Sequence, residues 1–148
     1  MSQPEACALH LIEVVPRLMD AIRSLVRDER GSLTIPQMRI LAFLGRKPRS
    51  TLADVATFIG IGAPTASAMI KTLDRKGLIQ ITPGKIDRRT VAITLNNSGK
   101  KLMVSAKAAA RQRLAERLTH LNPAELDVIE TSMRLLAAHV TQSLHETA

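Results

Sequence analysis

The chain has 148 residues, 45% of them hydrophobic, with two Phe and no Trp or Tyr, so its core must be Leu, Ile, Val, Ala and Met. That length suits one domain or a small intimate pair that folds without cross-links, and the single cysteine excludes an internal disulfide and fits a reducing cytosol. The formal charge is +8, no stretch reaches the ~18 consecutive apolar residues of a membrane span, and a start containing Glu5 without a basic run does not read as a secretory signal.

The charge is unevenly placed. Residues 1–33 carry net −1, residues 34–95 carry +7 and residues 96–148 carry +2. A basic excess confined to one segment is the electrostatic footprint of a phosphate-binding surface.

In chain order, residues 5–29 repeat apolar side chains at helical spacing through Leu11, Val15, Leu18, Ile22 and Leu25. Pro16 inside that stripe predicts a kink or a break into two helices. Thr34 followed by Gln37 is a capping-box spacing that opens a helix over 35–46, with Met38, Leu41, Ala42 and Leu44 available to the core. Thr51 with Asp54 repeats the device for a short helix presenting Leu52, Val55, Ala56 and Ile59. Gly60 and Gly62 make a turn, and Pro64 fits the first turn of the next helix, where its missing N–H costs nothing. That helix buries Ala66, Met69, Ile70 and Leu73 and stops at Gly77. Leu78–Ile81 and Val91–Leu95 read as two strands, with Pro83, Gly84 and Lys85 in the loop between them. A long helix covers residues 97–119, and Asn122, Pro123 and Glu125 open a last one whose stripe runs from Leu126 through Ile129, Met133, Leu136 and Val140 to Leu144.

The predicted fold is therefore mainly α with a small β-hairpin wing. Residues 34–95 form a winged helix-turn-helix DNA-binding region, and residues 1–33 and 96–148 form a helical dimerisation region. The apolar stripes at both ends exceed what the small central unit can cover, which calls for a homodimer. A two-fold dimer would read a near-palindromic operator on double-stranded DNA.

Several residues in order resemble the MarR family of winged-helix transcription regulators. Leu33-Thr34-x-x-Gln37 opens the second helix and Leu52-Ala53 the third. Pro64-Thr65-x-Ser67 opens the recognition helix, Leu73-x-x-x-Gly77-Leu78-Ile79 closes it, Asp87-Arg88-Arg89 marks the wing, and Thr94-Leu95 ends the second strand. The resemblance implies a dimer made by the first and the last two helices. It also implies loosening from DNA when a small anionic or hydrophobic effector enters between the dimer helices and the winged region. Arg17 and Arg23 are candidates to pair with a carboxylate there.

Site residues follow from position. A recognition helix reaches base edges with its first turns. Thr65 and Ser67 offer hydroxyls, Ala63 and Ala68 offer methyls beside Pro64, and Lys71 and Thr72 lie farther along. Ala68 stands where many family members carry arginine, which shifts weight to the wing and to DNA shape. The resemblance gives Asp87 the role of orienting an arginine, and Arg89 fits a narrow minor groove. Arg88 and Lys85 are matched to phosphates, as are Arg46, Lys47, Arg49, Arg75 and Lys76. The competing reading is a sequence-tolerant nucleic-acid architectural or protein-interaction module, which Ala68 keeps open. A third makes Cys7 a redox-sensing thiol, although no basic residue stands beside it in sequence. His10, His120, His139 and His145 lack ligand spacing for a metal, no cofactor motif is present, and no nucleophile-and-base arrangement points to an enzyme.

Overall fold

The structure is a computed structural model that describes residues 1–84 and 90–141. The elements are α1 (Gln3–Leu25), α2 (Arg27–Arg30), α3 (Ile35–Arg46), α4 (Leu52–Ile59), α5 (Ala63–Arg75), β1 (Ile79–Pro83), β2 (Val91–Leu95), α6 (Asn97–Leu118) and α7 (Pro123–Leu136). A π-helical segment, Ala137–Thr141, continues from α7. The chain forms two compact units, Met1–Arg111 and Gln112–Ala148.

Helix starts follow the local chemistry closely. At α3, Thr34 Oγ1 accepts from the Gln37 N–H at 3.3 Å while Gln37 Oε1 accepts from the Thr34 N–H at 2.9 Å. At α4, Thr51 and Asp54 make the same reciprocal pair at 3.1 and 2.8 Å. Asn122 and Glu125 cap α7 in this way, and Ser2 with Glu5 caps α1. Each box satisfies two N–H groups that a helix start leaves without internal partners.

Two outcomes differ in part from expectation. Of the kink or break expected at Pro16, the break does not occur: α1 runs through Pro16 to Leu25, with Val26 as its C-cap. Proline removes one backbone bond, to the carbonyl of Ile12, and this lies on an exposed stretch of the helix, where a lost backbone bond costs less than in a core. Pro83 is the last residue of β1 rather than loop, paired opposite Val91. At the end of an edge strand its missing donor breaks no ladder.

The core of the N-terminal unit is aliphatic, centred on Ile40, Leu41 and Leu44 of α3, Val55 of α4, Leu73 of α5 and Ile93 of β2. β1 and β2 pair antiparallel with Ile79 opposite Leu95 and Ile81 opposite Ile93. Ser50 extends this small sheet: its carbonyl accepts from the Ile93 N–H at 2.8 Å, and its buried hydroxyl donates to the Lys47 carbonyl at 2.6 Å. Arg49, held between these bonds, has φ +63°.

The tightest packing lies where α6 begins. The Asn96 N–H donates to the Leu78 carbonyl at 3.2 Å, and Asn96 Nδ2 donates to the Gly77 carbonyl at 2.7 Å. Asn96 Oδ1 accepts from the Gly99 N–H at 2.9 Å, so the same side chain caps α6. A Cβ on Gly99 would collide with the Leu78 carbonyl oxygen and press on Leu95.

Gly99→Ala is therefore expected to cost about 2 kcal/mol or more, because backbone on both sides must move; an unchanged midpoint in thermal unfolding would refute the close approach. At the start of α4, the Thr51 N–H bond, and then Lys47, hold the Asp54 carboxyl below the usual carboxylate range. A carboxyl lowered on folding stabilises above that range and loses its contribution as pH falls through its folded pKa. The stability difference between wild type and Asp54→Asn should thus be largest near neutrality and shrink under acid, which urea titrations at a series of pH values will read.

Candidate nucleic-acid interface

The α4 and α5 axes bend by 108° at the break between them. The turn is made by glycine: Gly60 sits in the left-handed region at φ +78°, and the N–H groups of Gly60 and Ile61 both donate to the Ala56 carbonyl. Gly62 then caps α5 without a side-chain acceptor, and Pro64 occupies the first turn. This is a helix-turn-helix, and the β1–β2 hairpin follows α5 after the Gly77 turn.

One face of α5 anchors it. Ala66, Ile70 and Leu73 are buried in the core, with Met69 partly so. The opposite face is outward: Ala63, Pro64, Thr65, Ala68 and Lys71 are exposed, and Ser67 and Thr72 are half-buried. The Thr72 hydroxyl donates to the Ala68 carbonyl at 3.0 Å and accepts from Arg75 Nη2 at 3.3 Å, so this threonine orients Arg75 along the helix. The exposed strip is thus short and smooth from Ala63 to Ala68 and cationic from Lys71 onward.

The flanking cations differ in their commitments. Lys47 Nζ bonds Asp54 at 3.0 Å. Lys76 Nζ donates to the Ser32 hydroxyl at 2.8 Å, tying the end of α5 to the turn before α3. Arg49 projects from its left-handed turn and is exposed. Arg46 lies over the Phe58 ring at 5.6 Å. In the hairpin, the Gly84 N–H donates to the Thr90 carbonyl at 2.6 Å and closes the ladder. The wing residues Lys85, Asp87, Arg88 and Arg89 lie outside the described residues, as does His145.

A second feature escaped the sequence reading. Phe43 and Phe58, which are all the aromatic residues of the chain, stack at 4.4 Å with an interplanar angle of 13°. Arg39 and Arg46 both lie over Phe58, at 5.5 and 5.6 Å. The spacing of Arg39 and Arg46, seven residues apart on one helix, places them on one face and was the available clue. Beside this stack, within the N-terminal unit, is an open cavity of about 800 Å³ whose apolar wall includes Met19, Ile22, Met38, Leu41, Phe58 and Met103. Arg23 lines it and Arg17 does not. Cys7 is exposed on α1, and no group of three or more His, Cys, Asp or Glu able to hold a metal occurs among the described residues.

Three comparisons with known proteins agree with this geometry. A family model described as MarR family matches residues 32–90. An uncharacterized HTH-type transcriptional regulator of Mycobacterium bovis is 28% identical over 117 residues, covering 79% of this chain and 82% of that protein. Among solved structures, a MarR family protein from Bacillus stearothermophilus superposes with TM-score 0.78 at 18% identity, covering 95% of this chain and 99% of that one. A mutant of S. aureus MepR bound to an oligodeoxyribonucleotide superposes with TM-score 0.64 at 19% identity, covering 84% and 94%. The matched model spans α3, α4, α5 and β1, and over these residues the chain is similar to the MarR family of winged helix-turn-helix regulators.

Proposed function

We propose that the chain is a sequence-specific, ligand-responsive DNA-binding regulator, a repressor in the cytoplasm, that grips a near-palindromic operator as a homodimer. The observation that carries this reading is the outward strip of α5. Its small residues, from Ala63 to Ala68, let the helix approach base edges closely, and Thr65 supplies a hydroxyl there. Lys71 and Arg75 follow on the same side, where phosphates flank the groove. Residues 34–95 hold +7 of the chain's charge, which supports the same orientation. The oligonucleotide in the MepR structure supports it by family likeness.

In this reading Lys85, Asp87, Arg88 and Arg89 form the wing contact, with Arg89 in the minor groove and Asp87 orienting it. Arg49 and Arg75 are the phosphate contacts least committed elsewhere; Lys47 and Lys76 would act mainly through the long-range field. Residues 1–33 and 96–148 make the dimer. Two exposed apolar faces support that assignment, one on α1 with Ile12, Val15, Leu18 and Met19, and one on α7 with Leu126, Ile129 and Met133. The cavity beside Phe58 is the effector site.

Lys71→Ala should weaken operator binding roughly five- to tenfold and flatten its salt dependence, and Arg89→Ala should weaken it while leaving the dimer intact. Fluorescence anisotropy across a salt series reads both; affinity unmoved by either change would remove α5 and the wing from the interface. Equal affinity for operator and random duplexes would instead favour a sequence-tolerant architectural module. Ile129→Asp should raise the dimer dissociation constant by about 100-fold or more, because a carboxylate would enter an apolar seam. Sedimentation equilibrium tests it, and a dimer of unchanged affinity would show that α7 lies outside the seam.

A further inference from the structure

We propose that the turn Lys47–Ser50 is a further DNA-contacting element, separate from α5 and the wing, in which Arg49 grips a backbone phosphate and Ser50 is the positioning residue that aims it. The contact rests on the DNA-binding function proposed above and on one backbone observation. Arg49, at +63°, is the only non-glycine residue with positive φ among the described residues. An L side chain is sterically disfavoured in that left-handed region, where glycine is not. Strain of this kind persists only where the surroundings enforce it, and it gathers at functional positions.

The enforcement comes from Ser50, a residue with 1% exposure. Its hydroxyl donates to the Lys47 carbonyl at 2.6 Å and closes the turn around Arg49. Its carbonyl accepts from the Ile93 N–H at 2.8 Å, which pins the turn to the middle of β2. On the other side Thr51 and Asp54 bond each other at the start of α4, and Lys47 Nζ bonds the same Asp54 at 3.0 Å. Both ends of the turn are thereby held, and residue 49 is left-handed between them. Were the turn geometry the whole requirement, glycine or asparagine would meet it without strain. A long cation there marks the side chain as the part that is used.

The side chain is available to a partner. Arg49 is exposed, and among the described residues nothing accepts from its guanidinium, whereas Lys47 is committed to Asp54 and Arg46 lies over Phe58. Its place selects phosphate over base edges. The turn leads directly into α4, the first helix of the helix-turn-helix, and in such motifs that helix crosses the sugar–phosphate backbone while the second enters the groove. A guanidinium matches a phosphate in charge and in the fork of its donors. A turn fixed to β2 and to α4 holds that fork at a constant place, so the contact sets the register of the protein on the duplex without reading sequence.

The test is fluorescence anisotropy of the full-length protein on a duplex selected from a random pool, across a salt series, beside thermal unfolding. Arg49→Ala and Arg49→Gly should each weaken binding about five- to tenfold and lower the salt slope by roughly one per bound chain. Their stabilities should part: Arg49→Gly relieves the strain and should unfold about 2 °C or more above wild type, whereas Arg49→Ala keeps the strain and should not. Binding lost and stability gained by one change identifies a residue kept for its contact. Binding unmoved by both changes would overturn the contact, and Arg49→Gly unfolding below wild type would overturn the strain. Ser50→Ala should weaken binding about threefold or more in wild type and have no further effect in the Arg49→Ala background. A loss that persists in that background would make Ser50 merely structural. Wild type that binds no duplex would remove the DNA reading and this contact together, whereas wild type that binds no better than Arg49→Ala would refute the contact alone.

Discussion

The approach of the Leu78 carbonyl to Gly99 is the constraint from which the N-terminal unit takes its geometry. At that point the end of α5, the start of β1 and the first turn of α6 meet with no side chain between them. Asn96 locks the junction by donating to Gly77 and Leu78 while accepting from Gly99. Three elements that could otherwise pivot independently are thereby one body. The outward strip of α5 is aimed by its own buried face of Ala66, Ile70 and Leu73, and the junction with α6 fixes the turn that follows the helix. Lys76, bonded to Ser32, adds a tie from the same end of α5 back to the entrance of α3.

A second consequence concerns charge. Acids in this chain are repeatedly placed at helix starts: Glu5, Asp54 and Glu125 each sit at the third position and accept from a cap N–H. There they interact favourably with the helix dipole and with backbone donors. Asp54 also holds Lys47, so one of the three acids of residues 34–95 is consumed locally. The remaining cations, Lys71, Arg75 and Arg49 among them, are left to define the field outside the protein. The same separation produces the cationic rim of the cavity, whose lining includes no acid at all.

What could be read in advance divides by the range of the interaction. The capping boxes at Thr34, Thr51 and Asn122 were visible because both partners lie within four residues of each other. The burial of Ala66, Ile70 and Leu73 was visible because helical period alone assigns a face. At Pro16 the choice between a kink and a break was not legible, because the cost of the lost backbone bond depends on solvent around Ile12, which no local pattern encodes. Ser50, Gly99 and the Phe43–Phe58 stack depend on contacts between segments distant in sequence; Ser50 bonds Ile93 and Gly99 faces Leu78. Gly99 in particular reads as an indifferent residue in a helix start until the carbonyl above it is known. The wing was named from the pattern of Asp87 and Arg89, residues outside those the structure describes.

The apolar faces of α1 and α7 bear on why a chain with two aromatic residues would assemble at all. With no Trp or Tyr and both Phe committed to each other, no large ring is available to close a small core or anchor an interface. Aliphatic side chains gain only by area, at roughly 25 cal/mol per Å², so a stable seam must be long rather than deep. Helices of 23 and 14 residues with repeated exposed Ile, Leu, Val and Met provide such length. Under the proposed dimer, a long aliphatic seam also carries a functional advantage. Packed helices can shift past one another between discrete arrangements, by small sliding or by a turn. The distance between two α5 helices would then take one of a few values, and an effector could favour one spacing over another only by binding its arrangement of the seam more tightly.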